Sequence, residues 1–533
     1  MVERLPVPPD PVALFEALGG PERPYGALLD SALACGRLGR YSFVLPEPFL
    51  VVRARGRDLK VLTEQGVTNL RGDPFEALRE LLQQYRLLRA EAPIPFRGGA
   101  VGYFAYDLGR HIEALPARAR DDLALPEMYL GFHDVVVAVD HLKKEAYVCT
   151  SGLSAGGTGN TRRAAQRLDA LRKRLERHYR LGRGADSPCR GGEPAPAVPG
   201  GTTFQQIPGR TGVPAGQPNR KPKETAPPPV RPVLEDEGDL TRLRLGFHFT
   251  RATYCAAVER AREYIAAGDI FEVNLSQRLE APLSAPPWHL YRILRAVNPA
   301  PFAAYLNFPE AAVVCASPER FLRLHDGLVE TRPIKGTRPR GRTPEEDRRL
   351  REELWHSEKD RAELTMIIDL ERNDLGRVCQ VGSVHVPELF CLEEYATVFH
   401  LVSTVRGRLA PGKDVVDLLR ATFPGGSITG APKIRAMEII EELEPVRRGI
   451  YTGSIGWIGF DGDCDLNIVI RTIIVKEGTA YFQVGGAVTA DSVPEQEYLE
   501  TLDKARALIT AVLLANAGHP AKTPVPAAGV STE

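Results

Sequence analysis

Lys335 stands in RPIKGTRPRG (332–341), between Ile334 and Gly336, with three arginines in the same ten residues. An ammonium so placed either belongs to a solvated basic turn or faces an anionic ligand. In the second case a partly desolvated, cation-rich pocket lowers the proton affinity of the lysine and frees its amine to act as a nucleophile. Gly336 and Thr337 would then add a backbone N–H and a hydroxyl. Composition alone leaves both readings open.

Three further stretches could carry chemistry. In PGGSITGAPKIRAMEIIEELEP (424–445), Gly425, Gly426 and Gly430 give a loop with the hydroxyls of Ser427 and Thr429, and Pro432 opens a helix. Backbone N–H groups at such a helix start attract anions, although a plain glycine turn reads the same way. Ala-Pro after Gly430 puts a lysine and a hydroxyl in the wrong places for a nucleotide-binding P-loop. In EQEYLETLDKARALITAV (495–512), Glu497, Glu500 and Lys504 share one helical face. Clustered carboxylates suit a hard cation such as Mg²⁺, and a solvated face with a Glu500–Lys504 ion pair is the alternative. In EKDRAELTMIIDLERNDLGR (358–377), Glu363 stands beside the apolar turn Met366–Ile368, as a metal ligand or as a half-exposed interfacial acid. The ERND that follows reads as capping or pairing structure.

The elements that must position these groups are legible from periodicity. Residues 252–267 place Tyr254, Val258, Ala261 and Ile265 on one helical face, with Gly268 as the stop. FEVNLSQ alternates, with Phe271, Val273 and Leu275 on one face and Glu272, Asn274 and Ser276 on the other. Thr343-Pro344-Glu345-Glu346 is a capping box, and Ser357 begins a second helix running to about Asp374. Upstream, RYSFVL, FLVVRA, GGAVGYFAYDLGR and MYLGFHDVVVAVDH alternate with turns and with helical segments at 74–88 and 162–179. The pattern is α+β with mostly antiparallel sheet.

Bulk properties set limits. Lys+Arg and Asp+Glu both number 68, which argues against a nucleic-acid-coating or basic membrane-surface protein. The N-terminus lacks a signal-peptide pattern, and no apolar run is long enough to span a bilayer. The eight cysteines form no metal spacing or disulfide framework. A cytoplasmic protein with neither nucleic-acid nor membrane partner is expected. Residues 184–235 are Pro/Gly-rich and read as a disordered linker or insertion between regions 1–183 and 236–517, and 518–533 as a disordered tail.

Taken together, SPERF (317–321), PIKGTRPRG (333–341), DLERNDLGRV (369–378), VFHLVSTVRG (398–407), GGSITGAPKIRAMEII (425–440), GIYTGSIGW (449–457), DLNIVIRT (465–472) and the run from Ala490 to Lys504 resemble the chorismate-utilising enzymes. That family includes anthranilate, aminodeoxychorismate, isochorismate and salicylate synthases. LLDSA (28–32), GRYSF (39–43), GGAVGYFAYDLGR (98–110) and LPEMYLGFHD (125–134) extend the likeness over nearly the whole chain. The fold it implies is a large two-sheet α/β sandwich of the anthranilate synthase component I type, helices outside, with the active site in the central cleft.

The resemblance also assigns roles. PIKGT is the aminodeoxychorismate synthase form, whereas anthranilate synthases usually read PIAGT. It implies that the Lys335 amine attacks C2 of chorismate as the C4 hydroxyl leaves; ammonia then adds at C4 and expels the lysine, giving 4-amino-4-deoxychorismate for p-aminobenzoate and folate. Glu319 matches the general acid and His400 a supporting hydrogen-bonding group near the ring hydroxyl. Tyr451, Arg471, the backbone of Gly485 and Gly486, and Lys504 match groups holding the substrate carboxylates, and Gly336, Thr337 and Ser427 fit the same pocket. Glu363 and Glu500 match Mg²⁺ ligands, with Glu497 acting through water.

The chain shows no glutaminase nucleophile setting and no room for a fused pyridoxal-phosphate lyase. A separate glutamine amidotransferase subunit is therefore expected to supply ammonia, and another protein, an aminodeoxychorismate lyase, to process the product. Glu272 stands where many amine-introducing relatives carry Gln and isochorismate-type enzymes a Lys. Ala303 and Asp30 depart from the pattern of tryptophan-regulated relatives and weaken the case for such feedback. The alternatives are anthranilate synthase component I and a non-catalytic relative; the joint presence of Glu319, Lys335, Glu363, Glu497 and Glu500 speaks against the second.

Overall fold

A computed structural model describes residues 1–33, 38–157, 159–183, 243–395 and 398–519. Among these residues two twelve-stranded sheets form, and they take strands from both ends of the chain. In the first sheet the N-terminal strand Ala27–Asp30 pairs antiparallel with Phe302–Asn307, Leu28 opposite Tyr305. In the second, Gly99–Phe104 pairs antiparallel with Ser454–Gly459, Gly102 opposite Gly456. The N-terminal region therefore completes both layers of an α+β sandwich. The expected linker, and the expected tail beyond Gly518 and His519, lie outside the described residues.

Burial on both faces explains the long apolar strands. In Val135–Asp140, Val136 and Ala138 join the core between the sheets, with Phe43, Val101, Tyr103, Cys315 and Trp457. Val135, Val137 and Val139 point the other way, into a layer closed by Leu168, Leu171 and Leu175 of Thr161–Arg183 and by Leu508, Ile509 and Val512 of Pro494–Ala517. On the outer face of the second sheet, Leu364, Ile368 and Leu375 of Glu358–Gly376 pack with Leu418 and Leu419 of Val415–Thr422. Each such leucine contributes about 1.5–3 kcal/mol relative to exposure.

Local signals held with small corrections. Helix Arg251–Ala266 buries Tyr254, Val258 and Ala261 as expected, while Ile265 is half-buried. Thr343 caps Pro344–His356 by accepting from the Glu346 N–H at 3.2 Å, but the Glu346 carboxylate accepts from Arg342 N–H rather than closing the box. The strand read from FEVNLSQ runs Glu272–Pro282 and leaves Phe271 exposed. Both of its faces are buried, Val273 and Leu275 on one and Glu272 and Ser276 on the other, so the polar face does not look to solvent. The described cysteines are free thiols, and among the described residues no helix is long and apolar enough to cross a membrane.

Candidate active site

The site forms where the ends of the two sheets meet. Thr479–Val488 and Glu272–Pro282 lie near one end of the first sheet; Ile334–Pro339 and Val398–Arg408 lie at one end of the second. A hydrogen bond links them: Lys335 Nζ donates to Glu272 Oε1 at 2.5 Å. Both side chains are buried, Glu272 completely, and its Oε2 has no hydrogen-bond partner. The short strand Gly430–Ala431 of the glycine loop pairs with Glu272 and Val273 and fixes the start of that strand.

This geometry corrects the expected electrostatics of Lys335. Burial, the largest influence, works to lower its proton affinity, but the carboxylates of Glu272, Glu363 and Glu319 outweigh it, and the affinity ends above the ordinary lysine value. The nearby arginines turn elsewhere: Arg338 pairs with Glu353 and Asp360, and Arg340 with Asp347. The pocket around Lys335 is acidic, and the resting side chain is an ammonium.

Glu319 is buried in the bend between Ala312–Ser317 and Arg320–His325. Ser427 Oγ donates to its Oε1 at 2.7 Å. Burial pushes its carboxyl up to about 7, against the Ser427 hydrogen bond and the charge of Lys335. A group titrating there can arrive protonated and act as an acid.

The glycine loop thus serves to hold Ser427, and its own polar groups are largely committed to the fold. Gly426 N–H donates to Glu371 Oε1 at 3.1 Å, and Lys433 pairs with Asp374 while donating to Thr422 O and Pro424 O. The ERND stretch pairs structurally, as its sequence suggested.

His400 faces Thr337 across the strand pair, its Nδ1 2.8 Å from Thr337 Oγ1. Burial, helped by the charge of Arg471, lowers the imidazole to about 4, so it is neutral at physiological pH. Gly336 between Lys335 and Thr337 has φ +82°, and a Cβ there would meet Asp360 Cγ and Leu354 Cδ1 at 2.8 Å. Only glycine fits.

Glu497, Glu500 and Lys504 converge on the strand below them. A Cβ on Gly486 would lie 3.2 Å from Glu497 Oε2, 3.3 Å from Glu500 Oε1 and 3.6 Å from Lys504 Nζ. Lys504 pairs with Glu500 at 2.6 Å and donates to Gly485 O at 2.8 Å. The ion pair and the inward-facing cluster are therefore both present. Burial, the largest influence, raises the Glu497 carboxyl despite its 2.7 Å bond from Ser492 Oγ; Glu500 is lowered, the charge of Lys504 outweighing its desolvation.

Arg471, at φ +52°, donates to Lys504 O, and Thr452 beside Tyr451 has φ +59°. A non-glycine residue is held in the left-handed region only where the surrounding structure over-determines the backbone. Burial lifts the Tyr451 phenol to about 12.

Glu363 approaches from helix Glu358–Gly376, half-buried, with its Oε1 lacking a hydrogen-bond partner and Lys359 Nζ at 3.8 Å. Burial raises its carboxyl to about 7. Among the described residues no three His, Cys, Asp or Glu side chains lie close enough to hold a metal by themselves. Mg²⁺ usually keeps several waters and takes one or two carboxylates plus an anionic substrate. Glu363 offers one oxygen without a hydrogen-bond partner, and the charge of Lys359 acts on it and on Glu497 and Glu500, but the three expected ligands do not form one cluster among the described residues.

Two contributors escaped the sequence reading. Lys359 acts on Glu363, Glu497 and Glu500 alike; its four-residue spacing from Glu363 was the available signal. Arg448 is buried, pairs with Glu444 at 2.8 Å and donates to Ile428 O at 2.8 Å and Asn274 O at 2.6 Å. It fastens the glycine loop to the Glu272 strand, and only the Glu444–Arg448 spacing hinted at it. A cavity of about 970 Å³ lined by Asp30, Ala303 and Trp457 lies apart from these residues. The carboxylate of Asp30 is taken up by Ser42, Tyr291 and Arg295.

The site thus brings together a buried acid, Glu319, a buried lysine, Lys335, and the cationic groups Arg471 and Lys504. In comparison with known proteins, residues 214–510 match the profile of the chorismate binding enzymes, and the chain belongs to that family. It is 40% identical over 502 residues to aminodeoxychorismate synthase component 1 of Bacillus subtilis, covering 94% of both chains. It is 42% identical over 495 residues to anthranilate synthase component 1 of Thermus thermophilus, covering 93% of this chain and 94% of that one. The crystal structure of anthranilate synthase component I from Streptococcus pneumoniae superposes with a TM-score of 0.68 at 30% identity, over 90% of this chain and 94% of that one.

Proposed function

We propose that this enzyme aminates chorismate at C4, as an aminodeoxychorismate synthase component 1 in the cytoplasm, with Lys335 as a transient nucleophile. The observation that carries the reading is the buried Lys335 itself, set within the electrostatic reach of Glu319. A small residue at that position offers no amine, and ammonia would be free to add at C2.

The residues divide the work as follows. Arg471, Tyr451, Lys504 and the Gly485–Gly486 backbone hold the substrate carboxylates, and Arg suits this by its bidentate fork. Glu319 gives its proton to the departing C4 hydroxyl, while Ser427 keeps the acid aimed. The Lys335 amine bonds to C2 and blocks it, so that ammonia enters at C4. Neutral His400, held by Thr337, hydrogen-bonds near the ring hydroxyl without competing for the proton. Glu363, Glu500 and, through water, Glu497 would hold Mg²⁺, which when bound offsets the charge of a substrate carboxylate.

Ammonia comes from a separate glutamine amidotransferase subunit, and the product passes to an aminodeoxychorismate lyase. The test is to incubate the protein with chorismate, Mg²⁺ and ammonium, with and without that lyase. Lyase-dependent p-aminobenzoate supports the reading, and lyase-independent anthranilate overturns it.

A further inference from the structure

Lys335 cannot attack carbon as an ammonium, and the structure surrounds it with acids that favour the ammonium. Four carboxylates from four elements act on it or feel its charge: Glu272 from Glu272–Pro282, Glu319 from the bend after Ser317, Glu363 from Glu358–Gly376 and Glu500 from Pro494–Ala517. Glu272 is the one bonded to it, at 2.5 Å. Glu319 is engaged by Ser427 and is needed as the acid at C4. Glu272 is fully buried, with Asn274 Nδ2 at 3.4 Å as its other neighbour on Oε1 and no partner on Oε2.

We propose that Glu272 takes the proton from Lys335 along their hydrogen bond when substrate is bound, and returns it when the lysine is expelled. Glu272 is thus a positioning residue acting through Lys335, and the inference rests on the C4-amination reading. Moving the proton across the bond turns a buried ion pair into a buried neutral pair, where water cannot compensate separated charges.

The steps balance. Glu272 carboxylate accepts one proton from the Lys335 ammonium. The amine lone pair forms the N–C2 bond, both conjugated ring double bonds shift through C1, C6 and C5, and the C4–O bond breaks as Glu319 protonates the hydroxyl to water. Ammonia then forms the N–C4 bond, both double bonds shift back, and the C2–N bond breaks to free the neutral lysine amine. That amine recovers its proton from Glu272, and Glu319 recovers its own from the new ammonium at C4. The sum is chorismate plus ammonia giving aminodeoxychorismate plus water.

Because the proton stays inside the pair, the reactive form has the same proton count as the resting form. The wild-type kcat/KM for chorismate, measured with free ammonia held constant and Mg²⁺ saturating at every pH, should be level below about pH 7, where Glu319 is protonated. In Glu272→Gln the lysine must lose its proton to solvent, so kcat/KM should gain an ascending limb of about tenfold per pH unit below neutrality. Glu272→Asp, which keeps the carboxylate, should retain the level limb at a reduced rate.

A Glu272→Gln profile with the wild-type shape and rate overturns the inference, as does an ascending limb in Glu272→Asp. Lys335→Ala is assayed alongside. Full C4 or C2 amination by that variant overturns the functional reading and this inference with it. An inactive Lys335→Ala beside an unaltered Glu272→Gln profile overturns this inference alone.

Discussion

The hydroxyl of Ser427 donates to Glu319 Oε1 across 2.7 Å, with both groups buried. The bond stabilises the ionised form, so it partly opposes the burial that lifts Glu319 to about 7. Two pH effects follow for an acid that must arrive protonated. Activity at constant free ammonia should fall about tenfold per pH unit above neutrality. Ser427→Ala removes the opposing bond and should move that limb to higher pH, whereas Glu319→Gln should lose the titration and about 10²- to 10⁴-fold in kcat. A Ser427→Ala limb shifted to lower pH would contradict the assignment.

The Lys335–Glu272 pair also has a structural consequence. Removing one member of a buried ion pair leaves an uncompensated charge, at a cost of about 3–5 kcal/mol. Lys335→Ala should therefore unfold at distinctly lower denaturant, and adding Glu272→Gln should restore most of the loss. The same Lys335→Ala variant should lack any chorismate-derived mass adduct in the intact protein. An adduct persisting on another residue, or equal stability of the single and double variants, would count against the pair.

The fold was legible, and candidate residues for the site could be named, because the chemistry-bearing residue types sit in contiguous motifs. The glycine loop, the SPERF acid and the helical face of Glu497, Glu500 and Lys504 each keep their parts within about two turns or one strand. Partnership across the chain was not legible. Nothing local says that Lys335 meets Glu272, 63 residues away in sequence, or that Arg338 and Arg340 turn to other acids. The cation-rich stretch thus became an acidic pocket only through tertiary contacts, and the expected direction of the lysine shift reversed with it. Arg448 was hidden for the same reason, since a buried arginine is defined by the carbonyls it reaches.

Glu371 offers a stability test away from the chemistry. Burial raises its carboxyl to about 7, above the usual glutamate range. A raised acid contributes stability that is fully present below the unfolded pKa, about 4.3, and is lost as pH rises to the folded value. Relative to Glu371→Gln, wild-type stability should thus decline by up to about 1.4 kcal/mol per pH unit between roughly pH 4.5 and 7, then level off. The variant can still accept from Gly426 N–H. Urea unfolding of both proteins across this range measures the difference, and a constant difference would refute the raised carboxyl.

Gly486 tests the proposed metal site through space rather than charge. A methyl there would sit 3.2 Å from Glu497 Oε2 and 3.3 Å from Glu500 Oε1, tighter than ordinary contact, so both carboxylates must give way. The strand conformation itself tolerates alanine, because Gly486 is not among the residues of positive φ. Gly486→Ala should fold with stability within about 1 kcal/mol of wild type yet require roughly tenfold more Mg²⁺ for half-maximal activity, as expected when supporting geometry around a metal is disturbed. Titration of activity against Mg²⁺, beside urea unfolding of the same preparation, separates the two effects. An unchanged Mg²⁺ requirement would move the metal away from Glu497 and Glu500, and a collapse in stability would make the glycine a packing residue instead.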